Sequence, residues 1–134
     1  MDADELDEIA MTMRARAFGV AIREAGERVA RTAPPWLVLL DGPMGAGKTT
    51  FTRALARGLA VAQPDRVCSP TFTLCMVHPG PVTLVHVDLF RLADAEDEGM
   101  GGVAGFDALD LEEIAEDELQ RGGGSGARVL VVEW

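Results

Sequence analysis

The sequence predicts an α/β fold, a mixed parallel and antiparallel sheet flanked by helices, in a single domain spanning residues 1–134. Three observations predict it. Trp36-Leu37-Val38-Leu39-Leu40 is an unbroken apolar run of strand length, which reads as a strand buried on both faces. A glycine-rich stretch, Gly42-Pro43-Met44-Gly45-Ala46-Gly47, follows it directly. Beyond the glycines, Thr49 to Leu59 carries Phe51, Leu55 and Leu59 every fourth residue, the spacing of one helix face.

Taken in order, the first element is a helix from about Asp4 to Arg31. Ile9, Met13, Ala17, Ala21, Ile22, Ala25 and Val29 recur at three- and four-residue intervals and predict its core stripe. Met13 and its neighbours could reach an adenine ring, but an apolar helix stripe is far more often core. Pro34-Pro35 ends anything helical and opens the Trp36 strand. After the second helix, Ser69-Pro70-Thr71-Phe72 is a turn signal, because Pro70 fixes its own φ and steers its predecessor away from helix. Two β-type runs, Phe72 to Val77 and Val82 to Val87, flank His78-Pro79-Gly80-Pro81 and predict a hairpin. Asp94 to Glu98 starts a short helix or loop, and Asp107 to Gln120 reads as an acidic helix. Gly122 to Gly126 is a flexible connector to a final strand, Val129-Leu130-Val131-Val132.

Composition narrows the function. The net charge is −10, from 22 acids against 12 bases. Such a surface repels a polyanion, so independent nucleic-acid binding is not expected. The acidic start Met1-Asp2-Ala3-Asp4-Glu5 lacks the positive region of a signal peptide, and no apolar run approaches a membrane span. Cys68 and Cys75 are too few for a disulfide framework or a zinc site. The expectation is a cytoplasmic protein with reduced thiols.

The chemistry sits in the glycine stretch. Gly42 to Thr49 matches the phosphate-loop pattern G-x-x-x-x-G-K-[ST], and Lys48 is the only lysine in the chain. A compact ammonium follows a β/γ-phosphate as a point charge where a guanidinium fork would crowd the loop. Met44, Gly45, Ala46, Gly47, Lys48, Thr49 and Thr50 are therefore the candidate nucleotide-binding residues, with backbone N–H groups turned inward and the Thr49 hydroxyl offered to Mg²⁺.

Two strands end in carboxylates, Val82 to Asp88 and Val129 to Glu133. Ligands of open α/β sheets bind at the carboxyl ends of strands, so both acids are aimed at the phosphates. His86 shares the Asp88 face by the two-residue period, and either orients that carboxylate or satisfies a buried hydrogen bond. Thr71 is a γ-phosphate reporter or an ordinary strand-start threonine. Arg91 either neutralises phosphate or pairs with a nearby acid, the latter being favoured among so many acids.

The set Gly42-Pro-Met-Gly-Ala-Gly-Lys-Thr-Thr50, Ser69-Pro-Thr-Phe-Thr73, His86-Val-Asp-Leu-Phe-Arg-Leu92 and Val132-Glu133-Trp134 resembles the TsaE family, bacterial ATPases required for threonylcarbamoyladenosine modification of tRNA. The four motifs cover nearly everything from Trp36 onward. The resemblance implies a P-loop NTPase-like fold, with ATP and Mg²⁺ as cofactors. It implies Thr49 and Glu133 on the metal, and Asp88 beside the γ-phosphate, the water and the metal. Lys48, Asp88 and Glu133 are then the catalytic set, Ser69 to Thr73 a switch containing Thr71, and Trp134 a neighbour of the nucleotide. It also implies action with a TsaB and TsaD pair, in which TsaD transfers the threonylcarbamoyl group and ATP hydrolysis resets the complex.

Three features depart from the family pattern. Phe90 stands in place of the usual tyrosine, the stretches 99–105 and 122–126 are rich in glycine, and residue 134 falls short of the usual C-terminal strand. Two other readings use the same loop. A small-molecule kinase would need an arginine-bearing lid, yet residues 94–126 hold eleven acids and one arginine, Arg121. A nucleotide-gated interaction module would bind ATP and hydrolyse it slowly.

Overall fold

A computed structural model describes residues 1–28, 34–43, 45–68, 70, 75–89 and 127–133. The first helix, α1, spans Ala3–Gly26 and begins at a reciprocal cap. Asp2 accepts a hydrogen bond from the Glu5 amide at 2.9 Å, and Glu5 accepts one from the Asp2 amide at 3.1 Å. Two amides that have no intrahelical acceptor are thereby satisfied.

The buried face of α1 is not the expected stripe. Ala15, Gly19, Ile22 and Gly26 are buried, and of the residues expected in the core only Ile22 is among them. Ile9 and Met13 are 47% and 68% exposed, and Ala17, Ala21 and Ala25 are exposed too. The reason is close helix packing. Gly19 of α1 meets Gly58 of the second helix, α2, which spans Lys48–Gly58. A methyl group on Gly19 would run into the Leu55 carbonyl oxygen, and one on Gly58 into the Arg16 carbonyl oxygen. Small residues bring the two backbones together, so size rather than hydrophobicity selects the face.

Four strands follow the order β1-β4-β3-β2, where β1 is Trp36–Leu40, β2 Cys75–His78, β3 Thr83–Asp88 and β4 Arg128–Glu133. β1 and β3 both run parallel to β4, and β2 returns antiparallel to β3 as the expected hairpin. The sheet is mixed, with helices against one face. Leu55, Leu59, Leu84, Val129 and Val131 form the main core between them, each 0% exposed. A smaller cluster on the other face joins Val85, Val87 and Val132.

β1 departs from the expectation of burial on both faces. Trp36, Val38 and Leu40 pack on the core, whereas Leu37 and Leu39 are 59% and 69% exposed. β1 is an edge strand among the described residues, and its alternate side chains point away from the helices.

After α2, a single 3₁₀ turn at Pro64–Arg66 is tied back by Arg53, whose Nε and Nη2 donate to the Val67 carbonyl at 3.1 and 3.0 Å. Cys68 is exposed and Cys75 partly buried, and among the described residues neither forms a disulfide. The helix end at 29–31, the segment 94–120 and the connector 122–126 lie outside the described residues.

Candidate functional site

The loop between β1 and α2 has the backbone that its glycines permit. Gly45 and Gly47 sit at φ 85° and 92°, a left-handed conformation that a side chain would strain. The Ala46 amide donates to the Pro43 carbonyl at 3.1 Å and closes a turn. Gly47 is the N-cap of α2 and offers no side-chain cap, and the Phe51 amide makes a 2.9 Å bond to the Gly47 carbonyl. The amides of residues 48–50 thus precede that rung, at the positive end of the helix dipole. Lys48 curls over its own loop and donates from Nζ to the Gly42 carbonyl at 2.6 Å. Thr49 and Thr50 are half-buried on the first turn of α2. Thr52 is fully buried and returns its hydroxyl to the Lys48 carbonyl at 2.9 Å, fixing that turn from beneath.

The two strand-ending acids stand side by side. Asp88 is in register with Glu133, and Glu133 is in register with Leu40, the last residue before the loop. Glu133 therefore lies between the loop strand and the Asp88 strand. Both acids are buried, at 5% and 3% exposure, and the Leu89 amide extends the ladder by donating to the Glu133 carbonyl at 3.0 Å.

His86 is fully buried on the same face, and the oxygen that it approaches belongs to Glu133 rather than Asp88. Its Nε2 is 3.0 Å from Glu133 Oε1, within ion-pair distance, although the ring N–H is not aimed along that line and neither atom completes a hydrogen bond. His78 lies diagonally across on β2, where burial and, secondarily, the charge of His86 lower its pKa. Burial likewise raises the pKa of the Cys75 thiol.

Among the described residues no three His, Cys, Asp or Glu side chains gather into a metal cage. The donors at hand are two carboxylates and the Thr49 hydroxyl, all hard oxygens, and Glu133 Oε1 is buried without a hydrogen bond. That donor set fits Mg²⁺, which takes one or two carboxylates and leaves its other positions to water and phosphate oxygens.

Of the expected site residues, the loop from Gly45 to Thr50, Asp88 and Glu133 are all described at the carboxyl end of the sheet. Met44, Thr71, Trp134 and Arg91 lie outside the described residues, as do Ser69 and residues 71–73 of the expected switch. Sequence reading missed two contacts. A side chain at position 47 would come within 3.4 Å of Met11 Cε, so Met11, rather than Met13, lies over the loop. The His86–Glu133 approach was hidden because nothing in either segment told which strand lies beside which.

A phosphate-type loop after an edge strand, with acids ending the next two strands of the sheet, defines a P-loop α/β protein. Residues 17–134 match the family described as Threonylcarbamoyl adenosine biosynthesis protein TsaE, and the chain belongs to that family. Among its relatives, the tRNA threonylcarbamoyladenosine biosynthesis protein TsaE of Streptomyces coelicolor is 42% identical over 84% of this chain and 66% of its own length. The protein of that name from Mycobacterium tuberculosis is 37% identical over 73% of this chain and 52% of its own. In Treponema pallidum the corresponding figures are 48%, 46% and 44%. The chain thus spans from about half to two thirds of the length of the first two relatives.

Proposed function

We propose that this chain is a Mg²⁺-dependent ATPase that supports N6-threonylcarbamoyladenosine formation at A37 of tRNA, acting with TsaB and TsaD homologues. The observation that carries the reading is the row of β1, β4 and β3, which sets Glu133 and then Asp88 beside the strand that feeds the phosphate loop. The relatives' names supply the pathway.

In this reading the loop amides and the α2 N-terminus receive the β- and γ-phosphates, and the Lys48 ammonium leaves the Gly42 carbonyl to follow them. Thr49 and Glu133 hold Mg²⁺, which when bound offsets the charge that builds on the phosphate oxygens. Asp88 would orient the attacking water and could add a second carboxylate to the metal. Burial of both carboxylates keeps bulk water from screening them. The net charge of −10 and the single lysine favour a basic protein partner over direct contact with tRNA.

ATP turnover measured for the chain alone and with a purified TsaB and TsaD pair tests the proposal. Hydrolysis stimulated by the pair, with no gel shift of tRNA by the isolated chain at physiological salt, is the expected result. Transfer of the γ-phosphate to a small acceptor would replace it with the kinase reading.

A further inference from the structure

We propose that His86 is a positioning residue, which holds the Glu133 carboxylate through its Nε2–H so that the other carboxylate oxygen faces the phosphate loop. This rests on the reading of Glu133 as a metal ligand. The inference starts from the 3.0 Å separation of His86 Nε2 and Glu133 Oε1, with the imidazole 0% exposed and the carboxylate 4%. A ring nitrogen carrying a lone pair would be repelled at that distance, so Nε2 carries the proton. The positioning role requires the ring to turn so that the N–H points at the oxygen.

No other described group competes for either side of the pair. Nδ1 and Nε2 of His86 and Oε1 of Glu133 complete no hydrogen bond with any described residue, although all three atoms are buried. A buried carboxylate oxygen left without a donor is costly; among the described residues the imidazole N–H is the donor placed near Glu133 Oε1, and a bound cation would relieve the same charge. The topology makes both available together. His86 lies two residues before Asp88 on the same face of β3, and Glu133 is in register with both Asp88 and Leu40. An N–H reaching diagonally across from β3 restrains the carboxylate on one side and leaves its far side directed toward β1 and the loop. Outer-shell groups that hydrogen-bond a metal-ligating carboxylate orient it, and loss of such partners typically weakens metal binding about 10- to 100-fold.

The test compares His86→Leu, which fills the space without an N–H, with His86→Gln, whose amide nitrogen reaches to about the Nε2 position. Mg²⁺ is titrated calorimetrically into the full chain loaded with a non-hydrolysable ATP analogue, and analogue binding is also measured in EDTA. His86→Leu is expected to weaken Mg²⁺ about 10-fold or more while leaving metal-free analogue binding unchanged, and His86→Gln to recover most of the loss. In a Glu133→Gln background, His86→Leu should have little further effect.

Unchanged Mg²⁺ affinity in a folded His86→Leu protein would overturn the positioning role and leave the proposed function standing. A wild-type protein whose analogue affinity is the same with Mg²⁺ as in EDTA would overturn both. A readout on the unaltered protein needs no variant at all. The chain has only two histidines, so long-range ¹H–¹⁵N spectra can assign the His86 tautomer. A proton on Nε2 is expected, and a proton on Nδ1 alone would overturn the proposal.

Discussion

Asp88 and Glu133 are register partners at the ends of neighbouring parallel strands, and both are buried. Two adjacent carboxylates repel each other when both are charged, and a cation between or beside them removes that penalty. Alanine in place of either acid is expected to reduce ATP hydrolysis more than ATP binding, with Glu133→Ala showing the steeper dependence on Mg²⁺ concentration. Turnover at the wild-type rate in one variant would remove that residue from the mechanism.

Lys48 donates from Nζ to the Gly42 carbonyl at 2.6 Å. Lys48→Ala therefore removes a loop contact as well as a phosphate contact. A charge-assisted hydrogen bond is worth about 1.5–3 kcal/mol, so ATP affinity measured by calorimetry should fall about 10- to 100-fold. Equal affinities would refute the loop's role in phosphate binding.

Gly58→Ala is expected to destabilise the protein, against the usual trend. In an open helix this change adds about 0.5–1 kcal/mol of stability. Here the new methyl meets the backbone of Arg16, Gly19 and Val20, which cannot turn away as a side-chain tip can. Overpacking of this kind costs about 1–3 kcal/mol, enough to reverse the sign. Urea unfolding decides it, and a higher midpoint for the variant would contradict the close crossing of α1 and α2.

His78 should make stability fall in mild acid. Its folded pKa is lowered from the ordinary 6.5 by burial first and His86 second. Above about pH 6.5 the group is neutral in both states and contributes nothing to the pH dependence. Below it, the unfolded chain gains a proton that the folded chain resists, so stability drops until the folded pKa is reached. A His78→Leu variant should lose this part of the slope in urea midpoints between pH 7.5 and 5. An identical slope would show that other groups produce it.

The parts of the fold legible in the sequence are those set by local chemistry. Five apolar residues after Pro34-Pro35 mark β1, the glycines mark the loop, and Pro79-Gly80-Pro81 between two β-type runs marks the hairpin. Residues distant in sequence were harder. Hydrophobic periodicity pointed to Ile9 and Met13 on α1, but the crossing with α2 is decided by what fits between two backbones, and glycine and alanine fit. The open side of β1 was hidden because an edge strand and a central strand carry the same run of Val and Leu. Asp88 and Glu133 were legible singly as strand ends, and their adjacency required knowing that β4 enters between β1 and β3.

The position of β4 has a consequence for synthesis of the chain. Trp36 pairs with Val129, 93 residues later, and Leu84 pairs with the same Val129 on the other side. While the ribosome is still making the intervening chain, β1 with its loop and the β2–β3 hairpin are two separate pieces with no shared rung. Pairing of such distant segments is slow to nucleate. Both pieces meanwhile expose backbone edges and apolar faces to other nascent chains. The acid that we assign to the metal thus arrives on the strand that joins the sheet, so a molecule with that acid in place has already joined its two pieces.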